Sequence, residues 1–182
     1  ENENLPGFVT IHPQGDGRVH GSGFLPAMHQ GTPLRVPRKD GEVAIKNLND
    51  REANPESQRL RLNFLQSMNQ RLLERVTADA QMEGIIESFE LAFRMQAEAP
   101  GIVDLSKESA ATQSLYGVGE GASDMNAKAC LMARRLSESG VRFVQVTMGG
   151  WDHHGDILRG LPNSCAGADK PIAGLIQDLK QR

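Results

Sequence analysis

Three observations predict an α/β fold, a mostly parallel sheet flanked by helices. Residues 141–147 form an apolar, β-branched run of strand length. A helical pattern that stops at Gly140 precedes it, and Gly149 and Gly150 end it just before Trp151, Asp152, His153 and His154. Helix, tight turn, buried strand and polar loop, in that order, make one arm of a βαβ unit. Open sheets of this kind carry their ligand residues past the carboxyl ends of the strands. The candidate chemistry therefore lies in 151–154.

A chain of 182 residues is one domain's worth and can bury a single core. With 19 Gly and 9 Pro, much of that domain must be loop. The formal net charge is -3 and the basic residues are scattered among acids on helical patterns, which leaves no electrostatic footprint for nucleic acid. No apolar run reaches the length of a membrane span, and the first residues lack the basic and apolar regions of a signal peptide. The absence of an initiator Met leads us to expect a processed chain or part of a longer one. Cys130 falls in a helical pattern and Cys165 in an expected loop, without metal or redox spacing. One buried thiol and one loop thiol are expected, rather than a disulfide or a nucleophile.

Taken in order, residues 1–53 are loop-rich, with short strands expected at 8–11, 34–36 and 43–45. The segment 21–27 mixes glycines with Phe24, Leu25 and Pro26, the composition of a loop packed over something. Asn54 followed by Pro55 and Glu56 starts a helix expected to reach about Val76. A second helical pattern covers 80–97 and should close at Pro100 and Gly101, giving a helical hairpin over 54–100 whose Leu, Met and Phe stripe packs as core. Ser106 can cap a short helix to Tyr116. The glycines at 117, 119 and 121 follow that helix, lack the lysine of a phosphate loop and read as a linker.

From Ser123 or Asp124 a helix presents Ala127, Cys130, Leu131, Ala133 and Leu136 to a sheet, with Arg134 and Arg135 outward. Gly140 ends it as a left-handed cap. After the polar loop, a short turn is expected at 156–159. Pro162 and Pro171 then introduce a last helix through Ile172, Leu175, Ile176 and Leu179, which would normally deliver the chain to another parallel strand.

Asp152 and His154 are two positions apart, so an extended or turned backbone points both to one side and His153 to the other. A carboxylate and a neutral imidazole are common ligands of zinc and similar divalent ions. A catalytic zinc needs about three protein ligands, and the other histidines, His12, His20 and His29, stand in the first 45 residues without metal spacing. Spacing alone weighs the metal site equally against a loop in which the acid caps a turn or pairs with an imidazole. Trp151 would close the top of a core. A catalytic His-Asp pair would need a positioned Ser or Cys, and no Gly-x-Ser-x-Gly elbow is present.

The segments Glu3-Asn4-Leu5-Pro6-Gly7-Phe8-Val9, Gly21-Ser22-Gly23-Phe24-Leu25-Pro26-Ala27 and Ala92-Phe93-Arg94-Met95-Gln96 carry a family resemblance. So do Ala133-Arg134-Arg135-Leu136 and, most specifically, Gly140-Val141-Arg142-Phe143-Val144-Gln145 running into Gly150-Trp151-Asp152-His153-His154. The chain resembles the bacterial domain of unknown function 1501 family, secreted sulfatase-like proteins frequent in planctomycetes. That resemblance implies an alkaline-phosphatase-like fold, incomplete in this chain, with residues 1–182 forming the central part of one domain. It implies that Asp152 and His154 are ligands of a divalent metal such as zinc or calcium. His153 occupies the variable position of the element and is free to reach an anionic substrate. The implied activity is hydrolysis of sulfate or phosphate esters of a small molecule or glycan, in a periplasmic or secreted parent protein, with the chain alone inactive. The competing expectation is an exported binding or structural protein that keeps the fold without catalysis.

Overall fold

The computed structural model describes residues 2–12, 20–37, 44–45, 48, 54–73 and 80–182. Its elements are β1 (Phe8–Ile11), β2 (Thr32–Leu34), α1 (Pro55–Leu73), α2 (Ala80–Val103), α3 (Ala110–Tyr116), α4 (Asp124–Glu138), β3 (Phe143–Val146) and α5 (Ile157–Gln181). The three strands form one parallel sheet in the order β2-β1-β3. This is α/β, as expected.

β1 lies in the middle because it is the most apolar strand, with Val9, Thr10 and Ile11 all buried. Pro33 is tolerated in β2 because, among the described residues, that strand is at the edge of the sheet, where a missing N–H breaks no second ladder. β2 therefore sits two residues earlier than the expected 34–36. Of the strand expected at 43–45, Val43 lies outside the described residues, while Ala44 and Ile45 are buried in a bend rather than a strand. β3 was expected to be buried. It pairs with β1 on one side, and Phe143, packed edge-on against Phe8 at 5.2 Å between ring centroids, remains 59% exposed.

α4 supplies the main layer beneath the sheet. Ala129, Met132, Ala133 and Leu136 join Val9, Ile11, Leu34 and Val141 in the core, and small residues let the helix approach the strands closely. Gly140, at φ 97°, turns the chain out of α4, while Val141 N–H donates to Leu136 O at 3.0 Å. The expectation that Arg134 points outward is overturned. Arg134 is 4% exposed, and it is buried because three carboxylates meet it: Glu108 Oε2 at 2.7 Å, Glu138 Oε2 at 2.6 Å and Asp178 Oδ2 at 3.2 Å. Its Nε faces Asp178 at charge-pairing distance without hydrogen-bond alignment. Tyr116 donates its hydroxyl proton to Asp178 at 3.0 Å, so α3, α4 and α5 close on one buried polar knot.

At two helix boundaries tertiary contacts outweigh proline. α2 continues through Pro100 to Val103, where Ile102 and Val103 pack against the core. α5 begins at Ile157 and contains both Pro162 and Pro171, so the expected 156–159 turn is its first turn and Cys165 is helical. Pro171 cannot donate to the carbonyl of Gly167 four residues back. Asn126 Nδ2 from α4 donates to that oxygen instead, at 2.9 Å. The next short helix also starts later than expected. Asp104 and Ser106 close their own turn, and Ser109 Oγ accepts from Thr112 N–H at 3.1 Å as the cap of α3. The glycine stretch 117–121 is a linker, with Asp124 Oδ1 accepting from Gly119 N–H at 2.7 Å.

The stripe on α1 does not pack as core. Leu60, Phe64, Leu65 and Met68 are all at least half exposed, and polar contacts to α2 hold the helix: Arg59 to Glu90 at 3.2 Å, and the Arg59 guanidinium over Phe93. Val76 lies outside the described residues. In the 21–27 loop Pro26 lies over Gly84 of α2, whereas Phe24 faces solvent.

Candidate functional site

Because β1 and β3 run parallel, their carboxyl ends form one rim. Ile11 is level with Val146, and Thr147 N–H donates to Ile11 O at 3.0 Å. Beyond this pair stand His12 on one strand and the 147–155 loop on the other. His12 is the one described non-glycine residue with a positive φ, 54°, a backbone state that costs energy and recurs at functional rims. Spacing alone did not single it out.

The loop is built by short local bonds. Trp151 Nε1 donates to Met148 O at 3.1 Å, Gly150 takes φ 87°, and Ser164 Oγ of α5 donates to Gly150 O at 2.9 Å. A side chain at position 150 would be strained in that conformation. Trp151 is 48% exposed rather than closing a core. The alternation expected from spacing is present. Asp152 and His154 point to one side, with Oδ2 and Nε2 2.7 Å apart and both side chains exposed, while His153 turns the other way and is half-buried against α5.

His153 Nε2 lies 3.5 Å from Ser164 Oγ. Ser164 is the nearby hydroxyl that spacing does not reveal, because Cys165 beside it reads as loop whereas α5 already starts at Ile157. It neighbours His153, not the Asp152–His154 pair, and its single proton is committed to Gly150 O. Ser164 can therefore only accept from His153, which is the wrong direction for a nucleophile facing its base.

Asp152 and His154 match two vertices of a divalent site in donor chemistry. Among the described residues no group of three or more His, Cys, Asp or Glu is placed to hold a metal ion, so the pair fits part of a coordination shell. Cys130 and Cys165 are free thiols; burial pushes the Cys130 thiol up to about 11, well away from a reactive thiolate.

A family model described as a protein of unknown function, DUF1501, matches residues 1–182. The chain belongs to the DUF1501 family. No curated protein and no solved structure matches it. Within this DUF1501 chain the family match covers both the buried Arg134 knot and the Trp151 to His154 loop. No described helix is long and apolar enough to cross a membrane.

Proposed function

We propose that this DUF1501 protein is a sulfatase-like, alkaline-phosphatase-related hydrolase of sulfate or phosphate esters, working outside the cytoplasm, in which Asp152 and His154 are two ligands of a divalent metal ion. The observation that carries the reading is the pair itself: a carboxylate oxygen and an imidazole nitrogen 2.7 Å apart, exposed, on the carboxyl rim of a parallel sheet. A divalent ion bound there supplies Lewis acidity toward an ester oxygen and lowers the pKa of a water or hydroxyl nucleophile. Asp152 would contribute a carboxylate oxygen and His154 an imidazole nitrogen; the contact between Asp152 Oδ2 and His154 Nε2 needs a proton on Nε2, which a metal bound through that atom would displace.

The test is turnover of 4-nitrophenyl sulfate and 4-nitrophenyl phosphate by the full-length protein. Turnover that is lost in both Asp152→Ala and His154→Ala while folding is retained supports the reading, and turnover kept by both variants overturns it.

A second reading has its own support. The two side chains already satisfy each other, and no third ligand stands beside them among the described residues. On that reading the protein is an exported binder of anionic glycans and the pair shapes the loop. Retention of an anionic glycan without turnover, and without need of a metal, distinguishes it.

A further inference from the structure

We propose that His153 is a positioning residue, not a substrate contact: its ring is seated in a notch of α5 opened by Gly160, and that seat aims Asp152 and His154 outward together. The proposal rests on the metal-ligand reading of that pair. A Cβ at position 160 would fall into the His153 ring, 2.9 Å from Cε1 and closer still to Nδ1. Glycine inside a helix weakens it relative to alanine, so Gly160 needs a reason, and the ring lying against it supplies one. Ser164 stands one turn further along the same face, its Oγ 3.5 Å from His153 Nε2. That same hydroxyl donates to Gly150 O at 2.9 Å. One serine therefore pins the loop at Gly150 and at the imidazole, on either side of Asp152.

The geometry follows from chain direction. In an extended stretch alternate side chains face opposite ways, so fixing residue 153 against the helix obliges 152 and 154 to face away from it. The Asp152–His154 contact at 2.7 Å joins two side chains that are each more than three-quarters exposed. Its alignment comes through the backbone from the buried side of the loop. Partners that orient ligands without touching the metal carry about 10- to 100-fold in affinity.

The test is zinc affinity by calorimetry on the full-length protein, for Gly160→Ala, His153→Ala and the double variant, alongside thermal melts. Each single variant should bind zinc about 10- to 100-fold more weakly with the melting temperature held or, for Gly160→Ala, raised. The double variant should bind no more weakly than His153→Ala, because without the ring the added methyl group has nothing to displace. Ring signals of His153 and His154 in nitrogen-15 spectra of the zinc-free protein should both move in Gly160→Ala. Zinc bound as tightly by Gly160→Ala as by the unaltered protein overturns the positioning role and leaves the metal reading standing. If the unaltered protein binds no zinc, the metal reading fails and the proposal falls with it.

Discussion

Arg134→Met is the most informative change to the scaffold. The methionine fills a similar volume, so packing is largely kept and the loss is electrostatic. Arg134 serves Glu108, Glu138 and Asp178. Glu138 is one-third exposed and recovers water, whereas Glu108 and Asp178 are each only 10% exposed and do not. Leaving a buried charge without its partner costs about 3–5 kcal/mol. Arg135 still bonds Glu108 and Arg182 still bonds Asp178, so the lower end applies and the expected loss is about 3 kcal/mol. Urea unfolding followed by circular dichroism measures it as a shift in midpoint at constant slope.

The pH dependence gives a second handle on the same variant. Hydrogen bonds and charge from Arg135 and Arg134 hold Glu108 below the usual carboxylate range against the opposing effect of burial, and Arg182, Tyr116 and Arg134 do the same for Asp178. Groups whose folded pKa is lowered contribute stability that is present above the unfolded value, about 4, and lost as pH falls through the folded value. The gap between the unaltered protein and the variant should therefore be widest near pH 7 and narrow below about pH 4. A loss under 1 kcal/mol at pH 7, or a gap that does not narrow in acid, would refute the claim that this knot joins α3, α4 and α5.

Other expectations are briefer. Gly174→Ala should lower the melting temperature by about 2–12 °C, since a Cβ there would sit 2.7 Å from the Leu115 carbonyl oxygen and overpacking against backbone costs about 1–3 kcal/mol; an unchanged melt would mean that α3 and α5 cross less closely. At pH 8 a thiol reagent should modify Cys165 in the native protein and reach Cys130 only after denaturation, because Cys130 is buried and its thiol is shifted up to about 11; two fast thiols in native buffer would contradict the packing of α4. Asn126→Ala should cost about 1–2 kcal/mol by orphaning the Gly167 carbonyl that Pro171 leaves without a backbone donor, read by urea titration; no loss would mean that water replaces the amide freely.

What was legible in the sequence was local. The β-branched run at 143–146, the left-handed Gly140 and the alternation of residues 152–154 follow from backbone sterics and side-chain period, and all three are present. What was not legible depended on partners distant in sequence. Arg134 sits on a helix face that reads as solvent until Glu108 and Asp178 arrive from 26 positions before it and from α5. Pro171 reads as a helix start because nothing nearby shows that Asn126 will take over the orphaned carbonyl. The α1 stripe has helical period, but period says which face is apolar and not what covers it. In the candidate site, Asp152 and His154 stand out by spacing. Ser164 and Gly160 do not, since their part depends on α5 starting at Ile157.

The measurement that bears most directly on the central claim is metal stoichiometry of the full-length protein by elemental analysis, with affinity by calorimetry, for the unaltered protein, Asp152→Ala and His154→Ala. The account predicts a stoichiometric divalent ion whose binding either substitution abolishes or weakens at least about 100-fold, as expected for loss of a direct ligand rather than of an orienting partner. Binding that is absent from the unaltered protein, or untouched by both substitutions, would contradict it and leave Asp152 and His154 as a loop-forming pair.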